Sequence, residues 1–98
     1  MKTLVLVRHG QAEHSRPRGG DIERPLTHQG QTDSARMAEQ FYEFGMEAHA
    51  VLSSPALCAK TTAKYFADWR ALDVGLDERL YDASVPELLD VVQDVEDF

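Results

Sequence analysis

Leu4-Val5-Leu6-Val7-Arg8-His9-Gly10 decides how the rest of this 98-residue chain is read. Four apolar residues, two of them β-branched, run straight into Arg-His-Gly. A short unbroken apolar run closed by a glycine predicts a strand over residues 3–7, buried on both faces. In an open α/β sheet, ligands collect at the carboxyl ends of such strands. Arg8 and His9 fall at that end. Arg8 carries a permanent charge and a planar fork of donors that suits phosphate oxygens. His9 offers a ring nitrogen that is nucleophilic near neutral pH. Gly10 lets the backbone turn and lets a ligand come close to the main chain. Together the three describe a phosphoryl-transfer site. A histidine after a strand is also what an ordinary solvated loop presents, so the motif needs support from the rest of the chain.

That support starts downstream. Residues 11–25 hold Pro17, Pro25 and the pair Gly19-Gly20, which predicts a loop without regular structure. Arg16, Arg18 and Arg24 make it basic, able to reach over an anionic substrate or simply to be solvated. Thr27 is a good N-cap for a helix over 28–44, with Ala35, Met37, Ala38, Phe41, Tyr42 and Phe44 at helical spacing and Gly45 as its stop. Gly30 in the first turn costs helix stability, which implies close approach of a neighbour. Residues 48–53 read as a second strand. Ser53-Ser54-Pro55 then opens a helix over about 56–70, where Ser54 and free amides of the helix start form an anion site or plain capping. Residues 74–81 read as a short strand or extended segment. Ser84 caps a last helix over 85–95, with Pro86 in its first turn. Strand and helix in alternation predict a parallel α/β sheet.

Composition narrows the function. The length allows a single domain over 1–98. A net charge of −7 argues against nucleic acid as a partner. No apolar run reaches membrane-spanning length, and the few apolar residues between Lys2 and Arg8 are too short for a signal peptide. One cysteine, Cys58, fits a reducing, cytoplasmic location. The histidines and the cysteine lack metal-site spacing, so no zinc site is expected, and a covalent route through His9 needs neither a metal nor an organic cofactor. After residue 71 the only cation is Arg79, and the acidic remainder reads as a solvated surface.

Four stretches, in order, resemble the histidine phosphatase superfamily, which includes the phosphoglycerate mutases. They are Arg8-His9-Gly10-Gln11-Ala12, Pro25-Leu26-Thr27-His28-Gln29-Gly30, Ser53-Ser54-Pro55 with Ala59, Thr61 and Thr62, and Asp77-Glu78-Arg79-Leu80-Tyr81-Asp82. The small phosphohistidine phosphatases of the SixA type are the nearest likeness. The resemblance implies a three-layer phosphoglycerate mutase-like parallel-sheet fold, here lacking its C-terminal part. It implies a phosphohistidine phosphatase acting on phosphorylated protein through a phosphoryl intermediate on His9. Arg8, Gly10 and Ser54 would bind phosphate, and Glu78 would donate a proton to the leaving group.

Two departures stand against full activity. Cys58 takes the place of an arginine that clamps phosphate in the family, and reads as a buried small hydrophobe. The family's second histidine, in a Gly-His pair on a later strand, has no counterpart before Phe98, and His14, His28 and His49 lack the context to replace it. A catalytically impaired phosphate- or phosphoprotein-binding module, an inactive fragment, and a small-molecule phosphomonoesterase or mutase are therefore the alternatives. An apolar first strand left at a sheet edge predicts self-association.

Overall fold

The computed structural model describes residues 3–14 and 18–95; Arg16 lies outside them. The framework is a β-α-β unit. Strand β1 (Val51–Ser53) leads into helix α2 (Leu57–Asp68), which returns the chain to β2 (Val74–Leu76). The two strands pair in parallel, Val51 with Val74 and Ser53 with Leu76. Helix α1 (His28–Glu43) packs on α2, and α3 (Val85–Asp94) packs against a 3-10 turn at Glu78–Leu80. Among the described residues, no helix is long and apolar enough to cross a membrane.

Helix ends follow local chemistry. The Thr27 hydroxyl accepts from the Gly30 amide at 2.9 Å, as expected of an N-cap, an interaction of about 1 kcal/mol. At the other end, Met46 N–H donates to Phe41 O and Gly45 N–H to Tyr42 O, with Gly45 at φ +83°. Only glycine adopts that left-handed turn without strain. Ser84 and Glu87 form a reciprocal capping box at the start of α3. Helix α2 ends differently: Leu72 N–H reaches back to Ala67 O, and Ala71 takes the left-handed position at φ 51°.

The core is thin. Ala12, Leu26, Ala56 and Cys58 form one buried cluster, with Ala59 packed against it. Between α1 and α2, Ala38 and Ala67 are buried, and Phe41 meets the Phe66 ring edge-on at 5.7 Å. The Tyr42 hydroxyl donates to Phe66 O at 2.6 Å, and its ring stacks on Trp69. Burial pushes the Tyr42 phenol above its usual range.

Several expectations need correction. Residues 3–7 are not a strand. Leu4, Val5, Leu6 and Val7 stand 43–68% exposed, and the only ladder among the described residues is β1 with β2. An apolar run becomes a strand only where a neighbour takes its N–H and C=O groups. The second strand begins at Val51 rather than residue 48, because β2 offers a partner for only three residues. The 11–25 segment is not wholly irregular. Asp21–Glu23 forms a 3-10 turn, and Ala12 makes an antiparallel bridge to Leu26, with Glu13 N–H donating to Pro25 O and Thr27 N–H to Gln11 O, both at 2.9 Å. The expected 74–81 segment divides into β2 and the turn at Glu78–Leu80, where Asp77 takes over as cap by accepting from Arg79 N–H at 2.9 Å.

Two substitutions check this packing. A Cβ on Gly30 would fall on the Gln11 carbonyl oxygen, which is backbone and has no room to yield. Gly30→Ala is expected to cost about 1–3 kcal/mol by overpacking, read as a lower urea midpoint. Ala71→Gly removes left-handed strain and is expected to raise stability by about 0.5–1 kcal/mol after the glycine's entropy is set against it. A lower midpoint for Ala71→Gly would show that the Ala71 methyl packs usefully.

Candidate active site

Two of the motif residues, Ser54 and Glu78, stand at the carboxyl end of the short sheet. Parallel pairing puts the ends of β1 and β2 side by side, and Asp77 N–H donates to Ser53 O at 2.9 Å. Ser54 and Glu78 follow directly from those two residues, so both lie at that end. Helix α2 starts there as well.

The Arg8-His9-Gly10-Gln11 segment is held between the two helices. The Gly10 amide donates to Thr62 Oγ1 on α2 at 3.1 Å. On the other side, a Cβ at Gly10 would sit 2.7 Å from Gly30 O and 2.8 Å from Ser34 Oγ on α1. Gln11 O accepts from Thr27 N–H, and the Gln11 side-chain oxygen accepts from the Thr27 hydroxyl at 2.9 Å. The two unusual glycines therefore have one cause: the chain after His9 crosses the start of α1 at backbone contact distance. Gly10's amide is already committed to Thr62, so its contribution is this close approach.

His9 is exposed, and its Nδ1 lies 2.7 Å from Gly10 O. A carbonyl oxygen only accepts, so Nδ1 carries the proton in this bond. In the neutral ring, Nε2 then holds the free lone pair. The structure thus presents a histidine in the tautomer that suits attack through Nε2. Arg8 is exposed beside it.

The other predicted residues divide. Ser54 is buried, and its hydroxyl accepts from Ala56 N–H at 3.3 Å, so it shapes the start of α2. Glu78 is exposed in the first turn of the 3-10 segment. Its neighbours are structural: Arg79 grips both oxygens of Asp77 at 2.7 and 3.0 Å and reaches Asp94 on α3 at 2.7 Å. Hydrogen bonds from the Arg79 side chain and amide hold the Asp77 carboxyl below its usual range. Arg24 is likewise engaged, with Nε donating to Glu13 O at 2.6 Å and a terminal nitrogen to Asp21 at 2.9 Å. It braces its own loop and does not stand in for the arginine expected at residue 58. Cys58 is 7% exposed within the core cluster, as its reading as a small hydrophobe required. His14, His28 and His49 are all exposed. Among the described residues, no His, Cys, Asp and Glu side chains gather into a metal-binding group.

Sequence reasoning quoted Thr62 as part of a motif but gave it no role. Its tertiary bond to Gly10 spans 52 residues and leaves no local signal. The Tyr81 hydroxyl, 2.8 Å from Asp21, was also missed; it joins the Asp77–Asp82 stretch to the loop after His9.

The fold has counterparts among known proteins. The chain is similar to an uncharacterised protein of a Picosynechococcus species, 30% identical over 83 residues, covering 85% of this chain and 48% of the relative. It superposes on SixA of Agrobacterium tumefaciens with a TM-score of 0.80 at 20% identity, covering 90% of this chain and 58% of the other. SixA of Nakamurella multipartitia gives 0.76 at 26% identity, with 93% and 50% covered. A protein histidine phosphatase SixA complexed with tungstate gives 0.72 at 28%, with 87% and 55% covered. The chain thus spans about half the length of the relatives it matches. With the α/β parallel-sheet architecture in common and a family model of the histidine phosphatase superfamily, branch 1, matching residues 4–94, the chain belongs to that superfamily, and SixA-type proteins are among its solved neighbours.

Proposed function

We propose that the chain carries the phosphoryl-accepting half of a protein phosphohistidine phosphatase site, with His9 as nucleophile. The observation that carries this reading is the Nδ1–H bond from His9 to Gly10 O, which leaves Nε2 as the free ring nitrogen. The Nε2 lone pair attacks phosphorus. A P–N bond to His9 forms as the P–N bond of the substrate histidine breaks, and the departing imidazole takes up a proton. Water then attacks the phosphoryl group, which releases inorganic phosphate and restores His9. Arg8 holds phosphate oxygens and offsets charge in the transition state. The start of α2, shaped by Ser54, lies on the anion side, and Glu78 supplies the proton. An imidazole leaves readily, so an exposed carboxyl suffices for this substrate class. The tungstate held by one SixA relative is a tetrahedral oxyanion, as phosphate is.

One observation favours a second reading. Cys58 lies in the core, so α2 presents no guanidinium at that position. A module that binds phosphate or a phosphoprotein without turnover accords with that loss. A phosphomonoesterase or mutase acting on a small phosphate ester would depend on Glu78 far more, since an alkoxide needs its proton.

Self-association belongs to the same proposal. The apolar residues 4–7 and Leu76 stand 43–68% exposed, and a second copy of this chain is the partner that would cover them in a reducing cytoplasm.

Two measurements decide. Incubation with a phosphohistidine peptide, trapped early and read by mass spectrometry, is expected to give a phosphoryl adduct on His9 that decays, absent in His9→Ala. A persistent adduct would favour the module without turnover; its absence in folded protein would defeat the nucleophile. Sedimentation velocity is expected to show a concentration-dependent dimer that Leu6→Lys returns to monomer. A wild-type monomer at the highest soluble concentration would exclude the dimer.

A further inference from the structure

Three hydrogen bonds run in series from α2 to the ring of His9. The Thr62 hydroxyl donates to Cys58 O, one helical turn back, at 2.8 Å. This directs its proton into the helix and leaves a lone pair facing outward. The Gly10 amide donates to that lone pair at 3.1 Å. The Gly10 carbonyl then accepts from His9 Nδ1 at 2.7 Å. Thr62 is 4% exposed, so water does not compete for the hydroxyl. Its neighbour Thr61 bonds Leu57 O and takes no part.

We infer that Thr62 is a positioning residue for His9. It acts through the placement of Gly10: holding the amide on one side of the Cα fixes the carbonyl on the other, which holds Nδ1–H and so the tautomer and ring orientation that present Nε2. The inference deepens the nucleophile reading and rests on it for its effect on rate. The tautomer itself is measurable without any turnover. The reason for a hydroxyl here is specific. The segment from Leu4 to Gly10 has no ladder among the described residues to hold it. Gly10 has no side chain to anchor. A buried acceptor on a rigid helix is what remains to fix its amide. Gly10 has the most permissive φ and ψ of any residue, so its carbonyl keeps its direction only while its amide is held.

The test compares Thr62→Val, Thr62→Ser and Thr61→Val with the wild type. Valine keeps the shape and removes the acceptor; serine restores it. Ring ¹⁵N shifts of His9 are expected to report the Nδ1–H tautomer in wild type, Thr62→Ser and Thr61→Val. Thr62→Val should move toward the Nε2–H form. Amide exchange at Gly10 should quicken about ten-fold in Thr62→Val alone, the scale of one lost hydrogen bond. With a phosphohistidine peptide as donor, the adduct-forming rate should fall about 10- to 100-fold in Thr62→Val, the cost of a misplaced reacting group. Its KM should change little. Circular dichroism confirms that each variant is folded. Unchanged His9 shifts in Thr62→Val, or failure of Thr62→Ser to restore them, overturns the inference. A wild type that forms no adduct but shows the expected shifts defeats the phosphatase reading and leaves the positioning role standing.

Discussion

Backbone contact between the chain after His9 and the first turn of α1 is the constraint on which the site depends. Gly30 and Gly10 face each other across it, and no side chain fits at either position. Thr27 serves both partners: its hydroxyl accepts from Gly30 N–H, and its amide donates to Gln11 O. Capping the helix and anchoring the loop are thus one piece of chemistry. On the far side Thr62 completes the clamp from α2. The nucleophile proposed at His9 would gain by such a setting, because precise placement lowers a barrier only when the support does not move.

The energetics around this clamp are uneven. The packed core consists mainly of small residues, alanines and Cys58, with Leu26, Phe66 and Val91 as its larger members. Polar geometry therefore carries much of the specification: the caps at Thr27 and Ser84, the Arg79 bridge from Asp77 to Asp94, and the Tyr81–Asp21 tie. The apolar residues 4–7 stand exposed. An exposed apolar segment beside an active-site motif couples two properties, because any partner that covers residues 4–7 also restrains Arg8 and His9.

The local signals read best where their cause was local. Thr27, Gly45 and Ser84 each end a helix through bonds within a few residues, and all three stand where the pattern put them. The oddness of Gly30 in a first turn signalled a close neighbour, and Gln11 is that neighbour. The reading failed where an element needs a distant partner. Residues 3–7 have every intrinsic feature of a strand, yet a strand is a pairwise object, and the described ladder joins only Val51–Ser53 to Val74–Leu76.

What the sequence alone determined, then, is the order of motifs, the helix boundaries set by caps and glycines, and the residue types that suit phosphoryl chemistry. These depend on short-range sterics and hydrogen bonding, which any neighbourhood preserves. Only the tertiary structure decided that Thr62 reaches Gly10, that Tyr81 ties to Asp21, that Tyr42 reaches Phe66 O and that Arg24 braces Glu13 across its loop. Each is a contact between groups that the chain must first bring together, and spacing along the sequence does not encode such a distance.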